Sequence, residues 1–111
     1  MKDIRLLPIF VLIQGSLFGF ENARSKFWNY AKFFQDNKLA QRVLFNSMED
    51  IDDDSEIWVH DLTEEGVAFY GIAEKKYFGR FSRNSFADPA DVRVLEKALK
   101  AFREKRSKEL N

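Results

Sequence analysis

The segment EDIDDDSEIWVHD, from Glu49 to Asp61, carries seven carboxylates in thirteen residues. Carboxylates at alternating positions are hard oxygen donors, the chemistry of a calcium loop. An EF-hand loop needs oxygens at positions 1, 3 and 5, a glycine at 6 and a bidentate glutamate at 12. Counting from Asp50 puts Asp50, Asp52 and Asp54 at the first three of these and Asp61 at the last. Ser55 stands where the turn needs glycine, Asp61 is one methylene short, and no second loop of the kind exists. The match is partial, and no metal ligands are assigned.

As a docking surface the segment is more coherent. Glu49, Asp50, Asp52, Asp53, Asp54 and Glu56 crowd together with no base close in sequence, and Trp58 follows at once. Like charges held together repel and must be tolerated in solvent. An acidic rim beside a large aromatic anchor is an interface composition. It would meet a basic protein surface, including the phosphate-binding cleft of a nuclease, where carboxylates take the place of phosphates. These six carboxylates and Trp58 are the expected partner-binding residues. A solvated loop with Trp58 in the core is the competing explanation.

Other chemistry finds little support. His60 is the only histidine, beside Asp61. A general base needs an oriented partner and a pocket. No Ser, His and acid arrangement, glycine-rich phosphate loop or zinc-binding His pair is recognisable. There is no cysteine, hence no disulfide framework and no thiolate site. No catalytic residue and no cofactor is expected. The run FWNYAKFF with Arg24, Lys26 and Lys32 interleaves rings with bases, as single-stranded nucleic-acid binders do. At helical spacing most of those rings must face a core, and nucleic acid is the disfavoured partner.

The chain of 111 residues is one domain, residues 1–111, with no repeat or linker. Twelve phenylalanines predict an aromatic core. The formal charge is zero, but its distribution is polarised. Residues 1–36 carry five basic and three acidic side chains, residues 37–73 two and nine, and residues 74–111 eleven and six. Such a chain is a dipole able to steer a charged partner, unless the blocks neutralise each other in the fold. The apolar run Leu6 to Ile13 is far shorter than the roughly 20 residues that span a bilayer. No A-x-A-like site follows it, so it reads as a buried helix rather than a cleaved signal.

The elements that must position these residues follow from periodicity. A first helix is expected from Pro8 to Phe18, apolar on all sides and therefore central. A second runs from Glu21 or Asn22 to Asp36, with Ala23, Phe27, Tyr30, Ala31 and Phe34 inward. The segment Leu39 to Asn46 suits strand or helix. Residues Glu56 to Leu62 favour a strand, and the two segments could form a hairpin around the acidic loop. A third helix begins at LTEEG with Thr63 as N-cap, and Gly66, Gly71 and Gly79 mark places of close packing. The fourth begins with Asp88 as N-cap, Pro89 as first residue and Asp91 completing a capping box. Val92, Leu95, Leu99 and Phe102 form its stripe, and Lys105, Arg106 and Lys108 suit its C-terminal dipole. The expected fold is mainly α, with four helices, or α+β if the hairpin forms.

The second half, DLTEEGVAFYGIAEKKYFGRFSRNSFADPADVRVLEKALKAF, resembles small bacterial immunity proteins of polymorphic and contact-dependent toxin systems. The resemblance covers about half the chain. It rests on size, absence of cysteine, the mixed helical pattern, and the LTEEG and DP..V..LEKAL stretches. It implies a cytoplasmic, non-enzymatic inhibitor that binds one cognate toxin domain and needs no cofactor. The alternative from another class is a winged-helix-like nucleic-acid-binding regulator using the basic C-terminal helix.

Overall fold

The computed structural model describes residues 3–16 and 18–110. Four helices and a two-stranded antiparallel sheet make up the fold: β1 (Arg5–Pro8), α1 (Ile9–Gln14), α2 (Gly19–Asp36), β2 (Glu56–Trp58), α3 (Glu64–Arg83) and α4 (Arg93–Leu110). Single 3-10 turns, Met48–Asp50 and Val59–Asp61, flank β2. No helix among the described residues is long and apolar enough to cross a membrane.

The sheet differs from the expected hairpin. β2 pairs with β1, placing Arg5 opposite Trp58, Leu7 opposite Ile57 and Pro8 opposite Glu56. Leu39 to Asn46 forms neither strand nor helix and contributes only a bridge from Ala40 to Leu62. A continuous apolar run has no period to distinguish helix from strand, which is why β1 was hidden in it. Pro8 ends the strand at φ −85° and ψ 135°, extended backbone, and is the N-cap of α1 instead of a residue of its first turn. α1 is only six residues long because it stops at Gln14, with Gly15 as its C-cap, and it is not central. Ile9 is buried, but Phe10 and Val11 are 42% and 48% exposed.

α2 buries the expected face, Ala23, Phe27, Tyr30, Ala31 and Phe34, together with Phe33. Its end is a Schellman-type reversal. Lys38 sits at φ 61°, where glycine is usual, while the Leu39 N–H donates to the Phe34 carbonyl and the Lys38 N–H to that of Gln35. The reversal drives Leu39 into the core and turns its carbonyl toward α3. Thr63 caps α3 by accepting from the Gly66 N–H at 3.0 Å, and its own N–H and hydroxyl both donate to the Leu39 carbonyl. Gly66 has no room for a side chain, since a Cβ there would lie 2.0 Å from the Leu39 oxygen. Gly71 and Gly79 lack this tightness: nothing lies within 4 Å of a Cβ at Gly71, and only the end of Arg83 approaches one at Gly79.

The core is aromatic. The Tyr30 ring lies 4.9–6.0 Å from those of Phe34, Tyr70, Tyr77 and Phe78. Each buried phenol finds a carbonyl: Tyr70 donates to Leu6 at 2.9 Å, Tyr77 to Pro89 at 2.6 Å and Tyr30 to Tyr70 at 3.4 Å. The first two tie α3 to β1 and to the α3–α4 connection.

α4 starts later than expected. Asp88 and Asp91 cap two successive turns, accepting from the N–H groups of Ala90 and Arg93, so the regular helix begins at Arg93 instead of Pro89. Leu95 and Leu99 are buried and Val92 and Phe102 half-buried, as the stripe requires. Arg103 fastens the helix to its neighbours. It donates to Glu65 of α3 at 2.9 and 3.1 Å and to the Asn37 carbonyl at the end of α2 at 2.7 Å. These hydrogen bonds hold the Glu65 carboxyl below its usual range.

Candidate protein-docking surfaces

The acidic segment is a built turn anchored in the core at both ends. Ile51 and Ile57, one on each side of the aspartates, are both 2% exposed. Between them the Asp52 carboxylate accepts from the Asp54 N–H at 2.9 Å, and Ser55 Oγ accepts from the Asp52 N–H at 3.0 Å. The Ser55 carbonyl accepts from the Ile9 N–H at 2.9 Å, joining the turn to α1. On the preceding 3-10 turn, Asp50 accepts from the Asn46 N–H.

This scaffold leaves Glu49, Asp50, Asp52, Asp53 and Asp54 exposed. Among the described residues none of the five has an ion-pair partner. Asp52, Asp53 and Asp54 can bring oxygens within 4.8 Å of one another. Glu56 departs from the expectation of an unpaired carboxylate. It is half-buried and bridges to Arg5 across the sheet at 2.9 Å. Its other oxygen accepts from the Trp58 indole at 3.3 Å, because residues two apart on a strand share a face. Trp58 is half-buried and stacks on His60, with ring centroids 6.1 Å apart and planes 16° apart. It is neither wholly in the core nor a free anchor.

Asp61 does not serve as the twelfth ligand of an EF-hand. It is 2% exposed, and its two oxygens accept from the Arg42 guanidinium at 2.7 Å and the Trp58 N–H at 2.8 Å. The buried carboxylate closes the turn after β2. His60 has gained a partner that its sequence neighbours did not reveal, since Nδ1 pairs with Asp3. An open groove of about 730 Å³ lies beside the pair. The other residues lining it, Gln41, Val59, Leu62, Glu64, Val67 and Ala68, offer no hydroxyl, thiol or amine nucleophile. The reactive side chains lining the groove are the Asp3–His60 pair and the Glu64 carboxylate.

A second surface lies between α3 and α4 and was not assigned from the sequence. Four cations, Lys76, Lys97, Lys105 and Arg106, surround an apolar floor in a groove of about 650 Å³. The helical stripe identified the core side of α4 but could not show that Val94 and Ala98 would lie opposite Ile72. A smaller aromatic feature also emerges where the connection after α3 meets the start of α2. Phe86, 83% exposed, packs on Phe18 with centroids 5.5 Å apart.

Compared with protein families, curated proteins and solved structures, the chain matches none.

Proposed function

We propose that the protein is a non-enzymatic protein-binding module, an immunity protein that neutralises a cognate toxin domain in the cytoplasm. The observation carrying this reading is the anchored turn, whose five exposed carboxylates have no cationic partner among the described residues. Internal hydrogen bonds order the turn before any partner arrives, so little entropy remains to be lost on binding. Uncompensated like charge is a cost in the free protein that a basic partner relieves. Its field raises the association rate and discriminates against acidic surfaces. A nuclease cleft built for phosphates has the matching charge. Trp58, half-buried beside Glu56, supplies the adjoining aromatic edge.

The test is capture from a lysate of the organism that encodes the chain, with and without added nuclease, using the wild type and D52N/D53N/D54N. The expected result is one near-stoichiometric protein that survives nuclease and is lost with the variant. That protein's toxicity should be suppressed by the wild type alone. Retention at unchanged affinity by the variant would remove the turn from the interface. Loss of every partner on nuclease treatment would move the function to nucleic acid.

A further inference from the structure

We infer that the α3–α4 groove is a second docking site, one that receives an amphipathic helix carrying acidic side chains. The floor is formed by Ile72 of α3 and by Val94, Ala98 and Ala101 of α4. On α4 the positions 94, 98, 101 and 105 follow helical spacing and make a stripe beside the Leu95–Leu99 core stripe. Val94 to Lys105 spans about 16 Å, roughly three helical turns. Ile72 is 39% exposed, Ala101 is exposed and Val94 and Ala98 are half-buried against the core, so the floor keeps an uncovered apolar strip. Alanines at two of the floor positions let a third helix approach to the usual 8–10 Å interaxial distance.

Charge identifies the occupant. Lys76, Lys97, Lys105 and Arg106 line the groove, against one carboxylate, Glu109. Among the described residues none of the four cations is in an ion pair. Arg106 lies 5.4 Å over the Phe102 ring, which presents its guanidinium at the edge of the floor. A helix with an apolar stripe at i, i+3, i+4 and i+7 and glutamates on its flanks satisfies floor and rim together. A nucleic-acid backbone would pair the cations but gain nothing from an aliphatic floor.

The probe is a fluorescein-labelled peptide of about five helical turns, with leucine at i, i+3, i+4 and i+7 and glutamate on both flanks. Its counterpart carries lysine for every glutamate. Fluorescence anisotropy is measured with the wild type, with K97E/K105E and with A101R, each checked by circular dichroism. The glutamate peptide should bind the wild type at least about tenfold more tightly than the lysine peptide, since facing like charges repel. K97E/K105E should reverse that preference. A101R adds a cation but fills the floor, so it should weaken the glutamate peptide, whereas a ligand held by charge alone would gain from it. Equal binding of both peptides, or tighter glutamate-peptide binding by A101R, overturns the inference. So does binding of a single-stranded oligonucleotide or of anionic phospholipid vesicles in place of the peptide. Self-association that is lost with D52N/D53N/D54N would assign the groove to a second copy's acidic turn, and would overturn it equally.

Discussion

The acidic turn and the α3–α4 groove carry opposite charge, and they are built in opposite ways. In the turn the apolar residues, Ile51 and Ile57, face inward and only carboxylates face out. In the groove Ile72, Val94 and Ala98 stay at the surface with cations around them. Exposed charge acts over about 8–10 Å at ordinary salt and weakens as salt rises. An apolar floor acts only on contact and contributes roughly 25 cal/mol per Å² covered. The turn is thus suited to steering and selecting a partner, and the groove to retaining one. A chain of zero net charge can hold both because the fold keeps them on separate elements.

The largest effect comes from breaking the junction on which both surfaces depend. Leu39, Thr63 and Gly66 lock the end of α2 to the start of α3, with the acidic segment on one side and α3 on the other. In Gly66→Ala the new Cβ meets a backbone carbonyl that is already the acceptor for Thr63 and cannot move freely. The variant should lose about 3 kcal/mol or more of folding stability, read by urea denaturation. Partner capture and peptide binding should then fail together. A loss below about 1 kcal/mol would mean that the start of α3 shifts easily, and the two surfaces would be less rigidly related.

Next in size is a change that reaches both surfaces through the core they share. Burial pushes the Tyr30, Tyr70 and Tyr77 phenols well above their usual range. A raised folded-state value favours the neutral phenol. Its stabilisation is therefore complete below about pH 10, the unfolded value, and is lost as pH rises beyond it. Thermal unfolding should be flat in this respect through neutral pH and fall steeply above about pH 10. Phenolate absorbance should appear with unfolding and not before it. Early titration of all three tyrosines in the folded protein would contradict the packing of α2 on α3.

The sequence made some of this legible and hid the rest for physical reasons. The inward faces of α2 and α4, the Thr63 cap and the tight packing at Gly66 are local features, and helical spacing or a cap residue reveals them. β1 was hidden because Leu6 to Ile13 is apolar throughout, and a strand that pairs with residues 56–58 has no local signature. Missing β1 also hid the Arg5–Glu56 bridge, so Glu56 looked as free as Asp53. The start of α4 is not legible because Asp88 and Asp91 each have a cap's chemistry, and only the fold distinguishes the separate turns that they cap. The exposure of Asp52 to Asp54 was readable from repulsion alone. The groove was not, because its floor comes from two helices whose relative rotation is set by packing.

The smallest effect sharpens the contrast most, because the two surfaces should respond with opposite sign. In D52N/D53N/D54N the side-chain oxygen at residue 52 still accepts from the residue 54 N–H, so the turn keeps its hydrogen bond. What disappears is mutual repulsion. At low ionic strength the variant should be more stable than the wild type by about 1 kcal/mol or less, and the gain should vanish near 1 M salt, where screening reaches about 3 Å. K97E/K105E should instead lose a few tenths of a kcal/mol, because Glu at residue 105 opposes the negative end of the α4 dipole. Chemical denaturation at two salt concentrations reads both changes. A stability loss in the aspartate variant would mean that the carboxylates are engaged in folding, and the turn could no longer be regarded as charge held in reserve for a partner.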